Sequence, residues 1–228
     1  MLAIMNTPES PEQQYASSFA GEAASENSRA AKALAVALDV RKFKIELYWK
    51  RATYFWAFTG VSLAAYLAAL TGKNVESRPQ ALLLTTCVGL VFAVAWYFVN
   101  RASKFWQLNW EVHVDLLENA VMGPTYKTVY TGPSPWWKPH GPYPFSVTKI
   151  NQLLSLFVVA IFALLVGNTL RENYTLAPRN WSFFTTTCVS LTILCLALLV
   201  WLGRAGKPHA KVGVQLRTTE VNEYKNDG

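Results

Sequence analysis

The sequence predicts an all-α membrane protein with four transmembrane helices, the first two extended beyond the lipid as long helices. Three observations predict it. Of 228 residues, 52% are hydrophobic and only 15% are charged, where a soluble domain carries about a quarter. The missing charge is concentrated: residues 52–71, 81–99, 150–168 and 182–202 contain no Asp, Glu, Lys, Arg or His. Each block approaches or reaches the roughly 20 apolar residues that cross a bilayer core. Finally, no Gly or Pro separates the first two blocks from the amphipathic segments that flank them, so helix should run through both.

Residues 1–28 are rich in Ser, Glu, Ala and Asn. They lack an apolar signal-peptide region and the surface needed to offset ordering entropy, so a disordered tail is expected, with insertion driven by the first span. A long helical hairpin follows over 29–121, with Ser28 as N-cap. Val36, Val40, Phe43 and Leu47 recur at helical spacing and are expected to pack on another helix of the same chain. Together with Trp106, Trp110 and Leu117 of the second helix they form a candidate assembly surface. Tyr48, Trp49, Tyr54, Phe55 and Trp56, interleaved with Lys50 and Arg51, mark a membrane interface. Gly60, Ala64 and Ala68 then follow at steps of four, a spacing that lets helices approach closely in lipid. After a turn over 72–80, Thr86, Gly89 and Ala93 make a second small-residue stripe. Glu111, Asp115 and Glu118 line what reads as a solvated acidic face. Gly123-Pro124 should end the helix.

Residues 122–145 hold six prolines and an aromatic cluster, which suits an interfacial loop. Tyr126–Tyr130 could pair as a short strand with Lys211–Leu216. The region 146–203 supplies spans three (150–168) and four (182–202), with Ser146 as N-cap of the third helix and a polar loop over 168–181. Residues 204–228 form a polar tail.

The net charge of +7 and pI of 9.3 raise the question of nucleic acid, but no nucleic-acid-binding signature accompanies them. Lys and Arg beside spans set orientation instead. The N-terminal flank holds Arg41, Lys42, Lys44, Lys50 and Arg51; the middle segment Arg101, Lys104, Lys127, Lys138 and Lys149; the C-terminal flank Arg204, Lys207, Lys211 and Arg217. The two short turns hold only two each, Lys73 and Arg78, then Arg171 and Arg179. Both termini and the middle loop are therefore expected in the cytoplasm.

Nothing in the sequence assembles a catalytic or metal constellation. Glu111, His113 and Asp115 are two apart and point to different sides of a helix. His140 and His209 stand alone. Cys87, Cys188 and Cys195 all lie in apolar blocks without metal spacing. An enzyme is not expected, nor a cofactor. Spans without ionisable residues argue against a coupled transporter. A channel lined by hydroxyls and amides stays open, with Asn151, Gln152, Ser155, Thr185 and Thr192 as candidate pore-lining residues. Ser and Thr in spans more often bond back to their own backbone.

The strings DVRKFKIELYWKRATYFWAF (39–58), WYFVNRASKFWQLNWEVHVDLLE (96–118) and PYPFSVTKINQLLS (142–155) resemble the RipA-type family of small, octameric bacterial inner-membrane proteins, over about residues 32–155. The resemblance implies a homo-oligomer in the bacterial cytoplasmic membrane, in contact with membrane lipid and with no established reaction. The leading reading is a non-enzymatic scaffold; the alternative is a channel or pore-forming effector.

Overall fold

The structure, a computed structural model of the chain, describes residues 28–72, 76–128, 143–174 and 181–204. It contains four long helices: α1 (Arg29–Thr71), α2 (Arg78–Val121), α3 (Val147–Asn173) and α4 (Phe183–Trp201). All four are long and apolar enough to cross a membrane. At 43 and 44 residues, α1 and α2 have about twice the length a bilayer core requires. The chain divides into two compact units, and both helices contribute to each.

In the first unit, residues 28–43 pack on residues 107–128. Ser28 caps α1: its Oγ accepts the Ala31 N–H at 3.1 Å, satisfying one of the orphan donors of a helix start. Leu34 and Ala37 then bury against Val114 and Leu117, with Ala33, Leu38, Trp110 and Leu116 around them. This differs from the expected packing face. Val36 and Phe43 are 59% and 56% exposed, and Val40 is only half-buried. The Leu34/Ala37 face lies roughly a third of a turn away from them, and Ala37 lets the helices approach more closely than the larger side chains would.

α2 ends as expected. Gly123 adopts φ +80°, and the N–H groups of Met122 and Gly123 both bond the Glu118 carbonyl at 2.8 and 2.9 Å. That is the left-handed cap that glycine tolerates best. The acidic face is not the solvated one expected, because Glu118 is fully buried. Its carboxylate accepts the backbone N–H of Tyr126 at 2.6 Å and of Lys127 at 3.1 Å, two charge-assisted bonds that hold the following turn against the helix. The Arg41 guanidinium lies 5.2 Å from the centre of the Tyr126 ring and adds a cation–π contact to the same turn. Residues 126 and 127 are therefore turn, not strand, and no strand occurs among the described residues. The rest of the expected pairing, like the two tails and most of the proline-rich loop, lies outside them.

The second unit contains residues 44–106 with α3 and α4. α2 is its centre: 39% of its most apolar window is buried, against 17% for α1 and α3 and 6% for α4. On α2, Thr86, Gly89, Ala93, Trp96 and Asn100 are all buried, at steps of three, four, three and four. Phe162 of α3, 1% exposed, packs on Gly89 so closely that a Cβ there would come within 2.0 Å of its ring. Toward α1, Phe58 stacks on Phe92 with ring centres 4.7 Å apart, and Trp56 meets Trp96 edge to face at 6.3 Å.

Helix boundaries follow their caps. Ser146 Oγ accepts the Lys149 N–H at 3.3 Å, and Ser182 Oγ accepts the Thr185 N–H at 3.2 Å. α2 begins at Arg78, with Pro79 in its first turn, where a missing N–H costs nothing. α3 runs to Asn173, past the expected loop boundary at 168. Its polar end stays helical because Asn173 Nδ2 bonds the Thr169 carbonyl at 3.1 Å and Arg171 sits in the last turn, where a cation suits the helix dipole.

Candidate functional site

Where the apolar part of α2 ends, three helices are joined by polar side chains. Asn151 of α3 donates from Nδ2 to the Tyr48 hydroxyl of α1 and to Asn100 Oδ1 of α2 at 3.3 Å. Asn100 Nδ2 returns to the Asn151 carbonyl at 3.5 Å, a longer contact. Asn100 is 1% and Asn151 5% exposed. An amide buried at the edge of an apolar layer costs free energy unless its donors and acceptors are matched, and each of these two supplies what the other lacks. The triad fixes the register of α1, α2 and α3 at one level. It sits at the membrane boundary, because Ala52–Thr71, Ala81–Val99 and Leu153 onward depart from it as apolar runs. Basic side chains cluster at the same level: Lys50, Arg51, Arg101 and Lys149 are exposed there, and the Arg101 guanidinium lies 5.8 Å from the centre of the Tyr97 ring.

One turn from Asn100, Trp96 is 2% exposed and its indole N–H has no hydrogen-bond partner among the described residues. At the far end of α3, burial pushes the Tyr174 phenol above its ordinary value.

The other sequence candidates fall into three groups. Thr86, Gly89 and Ala93 are buried between α2 and its neighbours. Gly60, Ala64 and Ala68 are exposed on the protomer, and the space beyond Gly60 is open. Of the pore candidates, Asn151, Ser155 and Thr185 are buried, while Gln152 and Thr192 are half-buried. Ser155 Oγ bonds the Gln152 carbonyl at 2.8 Å, and Thr192 Oγ1 bonds the Cys188 carbonyl at 2.8 Å. Both are the backbone-directed bonds that hydroxyls favour in apolar surroundings. On the assembly surface, Val36, Phe43 and Trp106 are exposed, Val40, Leu47 and Trp110 are half-buried, and Leu117 is in the core.

Tyr48, Asn100 and Glu118 hold the fold together in ways the sequence reading missed: Tyr48 was read only as an interfacial ring, Glu118 as solvated, and Asn100 was not singled out. One signal could have found Asn100: it continues the buried stripe of α2 at helical spacing. No comparable signal marks Tyr48 among its aromatic neighbours. Among the described residues, no three or more His, Cys, Asp or Glu side chains group as they would to hold a metal ion.

Four apolar helices, three of them joined by a buried polar triad, define a multi-pass helical membrane protein. A sequence model of the octameric membrane protein family matches residues 31–171, well over half of the chain. The chain belongs to that family. No curated protein and no solved structure matches it.

Proposed function

We propose that this chain is the protomer of a closed homo-octameric ring in a bacterial cytoplasmic membrane, with both termini in the cytoplasm, acting as a scaffold rather than an enzyme. The match to the octameric family over residues 31–171 carries the reading. The uneven burial of the spans supports it, since only 6% of the most apolar window of α4 is buried within the protomer, against 39% for α2. So does the charge asymmetry of the flanks, because Lys- and Arg-rich segments beside spans favour the cytoplasmic side.

Mass measurement of the purified protein in nanodiscs tests the assembly. A protein mass near eight times 25.5 kDa is expected, and a monomer overturns it. For topology, Ser77→Cys in a cysteine-free background should react with an impermeant thiol reagent added outside intact cells. Protection there, with labelling near the C-terminus, overturns the orientation.

The scaffold reading is favoured over a channel because the side chains of Asn151, Ser155 and Thr185 are buried in the protomer and bonded there, to Asn100, the Gln152 carbonyl and Ser182 Oγ respectively. A path lined by them would need those bonds to open. Purified protein in planar bilayers should be silent. Reproducible single-channel steps altered by Asn151→Leu would replace the scaffold with a pore.

A further inference from the structure

Among the open faces of the membrane unit, two lie at the same depth. The first is a groove of ≈ 490 Å³ between α2 and α4, lined by Leu84, Val88, Phe92, Phe184, Cys188 and Leu191 among others. The second is the Gly60/Ala64/Ala68 face of α1, exposed along its length, with nothing within 4 Å of a Cβ built on Gly60. At 3.6 residues per turn this stripe lies about 150° around α1 from Ala52, Thr59, Ser62 and Tyr66, which are the buried residues of the span. It therefore points away from the protomer's own helices.

The polar triad supplies a common ruler. Because Asn151 is bonded to both Tyr48 and Asn100, those residues share one level. At 1.5 Å per residue, Gly60 and Ala64 lie about 18 and 24 Å into the membrane from Tyr48. Phe92, Val88 and Leu84 lie about 12, 18 and 24 Å from Asn100 on the same scale. Copies inserted with one orientation can close a ring only about an axis along the membrane normal, so both halves of each contact must lie at equal depth. A ring contact is also heterologous: it joins two different surfaces. One surface that is narrow and small-sided and another that is recessed and apolar, matched in depth, meet both requirements.

We infer that the α2–α4 groove is the docking site for α1 of a second copy, which enters by its Gly60/Ala64/Ala68 face. The inference rests on the ring reading and adds the surfaces through which the ring closes. Close packing of backbones at small residues favours helix association in lipid, where apolar burial gives no drive.

Disulfide cross-linking in native membranes tests it. Cys188 borders the groove beside Cys87 and is kept, while Cys87 and Cys195 are replaced by Ala. Gly60→Cys in that background should give, on mild oxidation, a ladder of cross-linked species reaching eight copies. Ala64→Cys with Leu84→Cys should do the same, and it protects the test against unsuitable geometry in the first pair. Leu153→Cys, 66% exposed on α3, should give no ladder. Gly60→Leu should leave the protomer folded and reduce the assembled fraction at least tenfold. Octamer mass with no ladder from either pair overturns the contact while leaving the ring intact. A monomeric wild-type mass overturns the ring itself. An octamer that survives Gly60→Leu with co-purified phospholipid cross-linked to the groove assigns the groove to an acyl chain and overturns the inference.

Discussion

Two stripes of small residues look alike in the sequence and differ in the structure. Thr86, Gly89 and Ala93 on α2 are buried, with the Phe162 ring seated on Gly89. Gly60, Ala64 and Ala68 on α1 are exposed, with open space beyond Gly60. The spacing of small residues states that a helix can be approached closely. It does not state by what. On α2 the approaching group comes from the same chain; on α1 we assign it to another copy.

The comparison is broken most severely at Gly89. Gly89→Leu places several atoms where the Phe162 ring already sits. Since overpacking costs about 1–3 kcal/mol even for added methylenes, we expect loss of the folded protomer, seen as early unfolding in a thermal melt followed by tryptophan fluorescence. Glu118→Ala comes next. It leaves the Tyr126 and Lys127 N–H groups without their carboxylate, a loss of about 1.5–3 kcal/mol for a charged hydrogen bond. The melt should shift down, and hydrogen exchange at those two amides should accelerate. Asn151→Leu takes the donor from Asn100 Oδ1 and from the Tyr48 hydroxyl at about 1–2 kcal/mol. It loosens the shared level on which the depth comparison stands, so proteolysis near residues 48 and 100 should become faster. Gly60→Leu should cost the protomer least, within about 0.5 kcal/mol as for other open surface positions, while removing assembled species from the mass distribution. A protomer destabilised as much by Gly60→Leu as by Gly89→Leu would erase the distinction between the two stripes.

How the sequence misplaced some faces follows the same logic. Ser28 and Ser146 as caps, Gly123 as a stop and four apolar runs were all legible, because each depends on residues close together in the chain; Ser182 as the cap of α4 emerged only in the structure. The Val36/Val40/Phe43/Leu47 face was legible as a stripe, yet the contact formed at Leu34 and Ala37. Periodicity identified an apolar side of α1, and the geometry of α2 selected which part of it is covered. Glu118 was read as solvated because a carboxylate on a polar helix side usually is. Its burial depends on a turn folding back from eight and nine residues further on.

The sequence by itself determined the number of spans, their approximate ends, the length of α1 and α2 and the membership in an octameric family. These follow from local composition, because a bilayer core demands runs of apolar helix whatever the helices pack against. Only the tertiary structure decided that Asn100, Asn151 and Tyr48 meet, that one small-residue stripe is filled and the other open, and that Asn151 turns into the protomer. Those outcomes depend on residues about 50 and 100 positions apart along the chain, brought together by a packing that no local pattern encodes.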